Sequence, residues 1–479
     1  MFTFIDKANQ IPENSSLIIL SKSIQKVTFN EFSSEENTYI QDQIKNKISS
    51  FHFNHLTHHL FLEEIKEKNQ QGHFLESIRL VADRLVGCIQ NNKLGEIYIS
   101  AADFSEEEIL AFAEGMVLSN YSFVVYKTDK KNNIRHLDTI HIFHNEVHQE
   151  SIDELNILME ATLSARTLVN LPANYLSAHD LAEEIEKYAL ETEAKIEVFN
   201  KTKIEALKMG GLLAVNKGSV NPPTFSVFEY EPENAVNEKP IIFVGKGVVY
   251  DTGGLNIKTG DFMNTMKCDM GGAAAAASAA FAIAKAKLPL HIIALIPATD
   301  NRPGGNAYAS GDVITMFDGQ TVEVINTDAE GRMILADALA YAKKFDPMLV
   351  IDLATLTGAA ARAIGNLGVV AMGSKSEEYM EQLKLSGEKT SERIVEFPFW
   401  DEYAEQLKSD VADMVHLGGA EGGAITAGKF LEKFTAYPYI HLDIAGPAFT
   451  TKKLNYRGIG GTGVGVRLLF DFAKKLVQE

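Results

Sequence analysis

Asn326-Thr327-Asp328-Ala329-Glu330-Gly331-Arg332 is the stretch on which the reading of this chain turns. The alternating run 321–325 before it reads as a strand, and the apolar run 333–342 after it reads as a buried helix. Two carboxylates and a guanidinium therefore sit on one tight strand-to-helix turn. In an open parallel sheet the loops at the carboxyl ends of the strands line the ligand crevice, and that is where this turn is expected. Asp and Glu at a helix start are also ordinary capping residues favoured by the helix dipole, so the segment alone leaves both readings open.

Around it, strand-like runs recur at 196–199, 225–228, 241–244, 291–296, 349–353 and 440–444, separated by helical runs at 178–190, 272–286, 333–344 and 422–434. Continuous apolar strands alternating with helices imply a mainly parallel, mixed central sheet covered by helices. Residues 1–150 read as a smaller α/β domain, with strands at 17–20, 96–100 and 123–126 and helices at 74–90 and 106–118. A polar stretch at 145–153 marks the boundary, and 152–169 reads as a long amphipathic helix ended by a turn at Pro172. The expected division is an N-terminal α/β domain over 1–150, a linking helix over 151–170, and a larger α/β domain carrying the chemistry over 171–479.

A length of 479 residues also points to two domains. The composition, 46% apolar and 23% charged, is that of a globular protein, and a net charge of −19 argues against nucleic acid or an anionic membrane as the main partner. Two cysteines, Cys88 and Cys268, match no zinc spacing and suit a reducing compartment. The opening residues 1–7 lack a secretory pattern, and the alanine-rich run 273–284 is too short to span a bilayer, so a cytoplasmic location is expected. The cluster His52, His55, His58 and His59 lacks an Asp, Glu or Cys companion pattern and receives no function.

Three segments besides the opening one carry unusual residues at strand ends: 244–258, 266–272 and 353–358. No phosphate loop is present, because Lys246 precedes its turn, and the third glycine of a dinucleotide fingerprint is missing. A two-metal site explains more. Asp251, Asp269, Asp328 and Glu330 supply four negative charges, matching two divalent ions, whereas four buried carboxylates without cations would have to take up protons. Two ions about 3.5–4 Å apart polarise a carbonyl and lower the pKa of a shared water, leaving Lys258 and Arg332 to stabilise charge on a substrate.

These motifs resemble the leucine aminopeptidase (cytosol aminopeptidase) family of dinuclear metallo-exopeptidases. The likeness runs from about residue 152 to the end, through 244–254, Lys258, 266–274, 301–307, 326–332, 353–358 and 441–447. It implies release of N-terminal, preferably leucine-like residues from peptides by two divalent ions, zinc or manganese first and magnesium or cobalt next. It implies that Asp251 and Glu330 bridge the ions, that Asp328 completes the more exchangeable site, and that Lys246 and Asp269 complete the tighter one. Lys258 then polarises the scissile carbonyl, Arg332 holds a bicarbonate proton shuttle, and Met266, Thr355, Gly358, Ala445 and, more loosely, Ala448 wall an apolar side-chain pocket. A homohexamer is implied as well. Met333, Tyr250 and Thr252 depart from the family's usual residues without touching a ligand, and the loop 308–311 lacks its usual Arg-Pro. Two alternatives belong to other classes: a catalytically silent binding homologue, argued against by the five filled ligand positions, and a two-metal phosphoesterase, for which histidine ligands would be expected.

Overall fold

The structure is a computed structural model and describes residues 2–25, 29–129 and 135–478. Its contacts divide into two compact units, residues 1–160 with 453–458, and residues 161–452 with 459–479. The division passes through the long helix Gln149–Asn170, so the polar stretch at 145–153 is half turn and half helix.

In the first unit the strands are β1 (Phe4–Lys7), β2 (Leu17–Ser21), β3 (Ser50–Asn54), β4 (His59–Glu64), β5 (Glu96–Ala101) and β6 (Thr139–Phe143), in the order β1-β6-β5-β2-β4-β3. All neighbours are parallel except the β3–β4 hairpin. β2 is buried along its whole length, as expected of an interior parallel strand. The helices Gln71–Asn91 and Glu106–Asn120 lie where apolar spacing places them, the second opened by a capping box of Ser105 and Glu108. The run 123–126 is not a strand, contrary to expectation. Val125 and Tyr126 are exposed, and the place beside β5 is taken by β6, whose residues alternate between buried and half-buried.

The second unit contains β7 (Lys195–Phe199), β8 (Thr224–Tyr230), β9 (Ile241–Gly245), β10 (Gly247–Asp251), β11 (Ile292–Asn301), β12 (Val313–Thr315), β13 (Thr321–Glu323), β14 (Leu349–Ala354), β15 (Val369–Ser374), β16 (Ile394–Glu396), β17 (Met414–Val415) and β18 (Tyr439–Asp443). The nine-stranded sheet runs β16-β15-β18-β14-β9-β11-β8-β7, with β10 pairing β11 off that path. Its centre, β18-β14-β9-β11, is parallel, and antiparallel pairings at β15–β18 and β11–β8 make it mixed. The alanine-rich helix Gly271–Lys285 is buried on every side from 271 to 284, which its small residues permit.

One expectation is corrected. β13, the strand before the opening motif, does not belong to the large sheet. It pairs antiparallel with β12 and parallel with β17 in a three-stranded sheet of its own. Three residues of alternation show a strand but not which sheet will hold it.

Candidate functional site

The parallel centre of the sheet delivers side chains to one end. Lys246 follows β9, Asp251 closes β10, Thr355 follows β14, and Asp443 closes β18. Asp269 stands just before the Gly271–Lys285 helix, and Asp328 and Glu330 just before the Gly331–Ala342 helix. Lys246 Nζ lies 2.7 Å from Asp269 Oδ1 and 3.0 Å from Glu330 Oε1. Lys258 Nζ lies 2.7 Å from Asp251 Oδ2 and 2.6 Å from Asp328 Oδ1. Oxygens of Asp251, Asp328 and Glu330 all fall within 4.8 Å of one another, a spacing that suits a metal ion. Lys246, Asp251, Asp269, Asp328, Glu330 and Lys258 are thus brought together.

Glu330 occupies the N-cap position of its helix, yet its side chain makes no capping bond. That removes the bland reading of the motif for this residue: the carboxylate turns to Lys246 instead of the helix. The close fit requires a glycine next to it. A Cβ on Gly331 would meet Lys246 Cε at 2.3 Å. Gly253, at φ +88°, is another such position, where a Cβ would lie 2.5 Å from Asn256 O.

The surrounding polar groups hold the acidic residues in place. Asn301 donates from Nδ2 to Asp251 Oδ1 at 2.8 Å and to Thr327 O at 3.0 Å. Asn256 Oδ1 accepts from Thr327 N at 2.9 Å, Thr327 Oγ1 donates to Gly253 O at 2.6 Å, and Tyr308 OH donates to Thr327 O at 2.9 Å. Sequence reasoning gave none of these four a role. Their asparagine, threonine and tyrosine chemistry has no spacing rule, although Asn301 lies in a segment already singled out.

Burial raises the Asp251, Asp269 and Asp328 carboxyls above the usual range. Neighbouring carboxylates add to that rise, and the two lysines oppose it. Burial alone would lower Lys246 and Lys258, but the carboxylates around each outweigh it and hold both ammonium groups above their ordinary values. Four carboxylates facing two ammonium groups leave the cluster two positive charges short when all are ionised. In addition, Asp269 Oδ2 and Glu330 Oε2 are buried and have no hydrogen-bond partner. Oxygen donors with free lone pairs and a deficit of positive charge fit divalent cations.

Arg332 is buried, donates from one guanidinium nitrogen to His416 O at 2.8 Å, and keeps Nε without a partner. Burial pushes the guanidinium down to about 10, against the pull of Glu330 and Asp443. His416 was not foreseen. Its Nδ1 accepts from Ile325 N at 3.2 Å and its Nε2 faces Asn326 O at 2.9 Å, which fixes the neutral tautomer protonated at Nε2 and pins the entry to the motif. Burial, followed by the Arg332 charge, pushes this imidazole down to about 4.

Of the residues assigned to a pocket, Thr355 and Ala448 both flank Gly271. A Cβ on Gly271 would touch Thr355 Cγ2 and Ala448 Cβ, each at 3.4 Å. Ala445 and the turn before Gly358 share hydrogen bonds to Asp443. Met266 is half-buried on the 3-10 turn Gly260–Cys268.

Two other clusters differ from this one. His52 and His59 face each other at 2.8 Å, His55 and His58 at 3.1 Å, and His55 also meets Glu36 at 2.6 Å, so the imidazoles are paired off. Glu229, Glu231 and His291 also lie within 4.8 Å of one another, but on partly exposed surface with His291 already on Glu229 at 3.1 Å. Among the described residues no helix is long and apolar enough to cross a membrane.

Residues 163–470 match the family described as the cytosol aminopeptidase family, catalytic domain. A probable cytosol aminopeptidase of Chloroherpeton thalassium is 49% identical over 67% of this chain and 63% of its own length, so the match spans less than two thirds of that relative. One from Clostridium perfringens is 41% identical over 77% of this chain and 76% of its own. Among solved structures, the bottromycin maturation enzyme BotP in complex with Mn is similar with a TM-score of 0.85 at 28% identity, covering 96% of this chain and 99% of that one. A tomato leucine aminopeptidase mutant reaches 0.87 at 26% identity, covering 99% and 96%. With a matched segment that contains every residue of the carboxylate–lysine cluster described above, the chain belongs to the cytosol aminopeptidase family.

Proposed function

We propose that this protein is a metal-dependent aminopeptidase that removes the first residue of a peptide, preferring an apolar, leucine-like one. The observation that carries this reading is the convergence of Asp251, Asp269, Asp328, Glu330 and Lys246 at the carboxyl end of a parallel sheet, with two buried carboxylate oxygens unpartnered. Asp251 and Glu330 would bridge two divalent cations, Asp328 would complete one position, and Lys246 and Asp269 the other. Zinc or manganese suits that mixture of oxygens and one amine, with magnesium or cobalt as substitutes. When bound, such a pair supplies Lewis acidity and a nucleophile usable at neutral pH.

The chain's own groups do the rest. Lys246 can serve as a ligand only as the free amine, so cations must replace the charge that it now provides against Asp269 and Glu330. Lys258, released from Asp251 and Asp328 by the same substitution, is free to donate to the carbonyl oxygen as negative charge grows there. Arg332, with Nε unpartnered in a buried site, suits a small anion, and bicarbonate held there would carry the proton that no nearby histidine supplies. His416 is not that carrier, because both ring nitrogens are engaged with backbone. Thr355, Gly358, Ala445, Ala448 and Met266 would wall the pocket for the first side chain. A homohexamer in the cytoplasm, acting on short peptides, completes the reading.

The test is kcat/KM for matched free-amine and N-acetyl leucyl amides across pH. A free α-amine can occupy a cation only when deprotonated, and acetylation abolishes that contact. The acetylated substrate is expected to be cleaved far more slowly; equal values would remove the aminopeptidase reading. An accompanying phosphate ester should not be hydrolysed, and turnover of it would favour the phosphoesterase alternative.

A further inference from the structure

β14 and β18 are parallel neighbours with Ala354 opposite Asp443, and the chain leaves both at the same level of the sheet. The loops that follow, 355–358 and 444–448, carry four of the five residues assigned above to the side-chain pocket. Nothing in sheet geometry holds two such loops at a fixed separation beyond the last ladder bond, Ile444 N to Ala354 O at 2.8 Å. One carboxylate supplies what is missing. Asp443 Oδ1 accepts from Leu356 N at 3.3 Å and from Ala445 N at 3.1 Å, and its Oδ2 accepts from Thr357 Oγ1 at 2.6 Å. Asp443 is 1% exposed, so water does not compete for these donors.

We propose that Asp443 is a positioning residue that sets the width of the substrate side-chain pocket by clamping loop 355–358 to loop 444–448 across the ends of β14 and β18. The proposal rests on the pocket assignment made under the proposed function.

The clamp extends in two directions. Thr357 Oγ1 also accepts from Ala360 N at 3.0 Å, capping the short helix Gly358–Ile364, so the same hydroxyl fixes where Gly358 begins. Two residues earlier, Thr355 Oγ1 donates to Asp269 Oδ1 at 2.9 Å, and Thr355 O accepts from Lys246 Nζ at 3.0 Å. The loop is therefore held at one end by the ligand cluster and at the other by Asp443. Behind Asp443, buried on the same pair of strands, Asp352 accepts from Tyr439 OH at 2.5 Å and pairs with His441 Nδ1 at 2.8 Å. That network anchors the strand ends from which the clamp works.

The geometry separates positioning from general stability. Asp443→Asn keeps the shape, but its amide turns one acceptor into a donor facing Thr357. Thr357→Val removes the same bond from the other side, whereas Thr357→Ser keeps it. The experiment is kcat and KM for leucyl and alanyl amides with wild type, the three single variants and the Asp443→Asn/Thr357→Val pair, alongside metal content per chain. Loss of a hydrogen bond to a buried charged acceptor predicts a leucyl-to-alanyl preference lowered by roughly tenfold, carried mainly by KM of the leucyl substrate. Metal content should stay as in wild type, Thr357→Ser should behave as wild type, and the double variant should be no worse than the poorer single one. Equal losses on both amides, an unchanged preference, or additive effects in the double variant would overturn the proposal. Should Asp443→Asn fail to fold, the Thr357→Val and Thr357→Ser pair decides between the same outcomes. A wild type inactive on both amides would overturn the function and the pocket with it, whereas an active wild type whose variants keep its preference overturns the clamp alone.

Discussion

The carboxylate cluster around Lys246 and the histidine hairpin of β3 and β4 are both dense groups of titratable side chains, and they are satisfied in opposite ways. In the hairpin, His52 meets His59 and His55 meets His58 and Glu36, all between neutral or singly charged partners. Burial and mutual repulsion hold His52, His58 and His59 below their ordinary values, so the group lowers its own charge. The carboxylate cluster cannot do so: its two lysines stay charged and it still leaves Asp269 Oδ2 and Glu330 Oε2 bare. Density of titratable groups therefore says little, while unmet lone pairs and unbalanced charge say what is missing.

Substitutions in the two regions can break that contrast, and the largest effect is expected at the proposed ligands. Asp269→Asn or Glu330→Gln should lower kcat/KM by about three orders of magnitude or more while the fold persists, since a charge is lost where cations must be held. Circular dichroism and metal analysis check both parts; full occupancy with full activity in either variant would sink the assignment.

Next in size is Lys258→Ala. Loss of one donor to developing negative charge costs roughly 3–4 kcal/mol of transition-state stabilisation, seen as a fall in kcat with metal content nearly unchanged. Parallel losses of metal and rate would make Lys258 a structural member of the cluster. Under the same assay Arg332→Ala should abolish any stimulation by added bicarbonate.

A smaller effect concerns acid stability. The folded value of His416, about 4, lies below the 6.5 of a free imidazole, so the folded state binds fewer protons between those pH values. Its contribution is complete above that window and is lost as pH falls through it, on the order of 3 kcal/mol. Asp337, which burial pushes up to about 7, works in the opposite sense, its contribution being lost as pH rises. The wild-type curve is therefore a composite, and the difference between wild type and His416→Gln in urea unfolding isolates the histidine. A difference that stays flat from pH 7 to pH 4 would contradict the buried neutral tautomer.

The smallest effect is expected in the hairpin. His52→Ala and His55→Ala should leave metal content and kcat/KM within about twofold of wild type and cost roughly 1 kcal/mol of stability, the size of a partly exposed hydrogen bond. Loss of a bound metal in either variant would show that the hairpin resembles the carboxylate cluster after all.

What the sequence made legible follows from how local each signal is. Lys246, Asp251, Asp269, Asp328 and Glu330 stand beside strongly apolar strands and helices, so their places at strand and helix ends could be read from patterning alone. The central strands 241–244, 349–353 and 440–444 were legible for the same reason: they are buried along their length and read as mainly apolar runs, interrupted only by Asp352, His441 and Asp443. Where pairing partners decide the outcome, the reading failed. The strand before the motif joined a separate sheet because its partner β17 lies some ninety residues away, and that same pairing brings His416 to Asn326. The run 123–126 had strand-like residues, but the place beside β5 went to β6. The Asp443 clamp was invisible because an aspartate at a strand end is unremarkable until its three donors, drawn from two loops, are seen together.

The tight approach of Gly331 to Lys246 Cε has a consequence for mutational tolerance. In a library that randomises the motif, this position should be as intolerant as the acidic ones, although it contributes no charge, no donor and no acceptor side chain. A methyl group there would push the lysine stem away from Glu330. Functional importance at this site is thus partly a matter of empty volume, and a survey ranking positions by chemical reactivity would place one of the most constrained residues last.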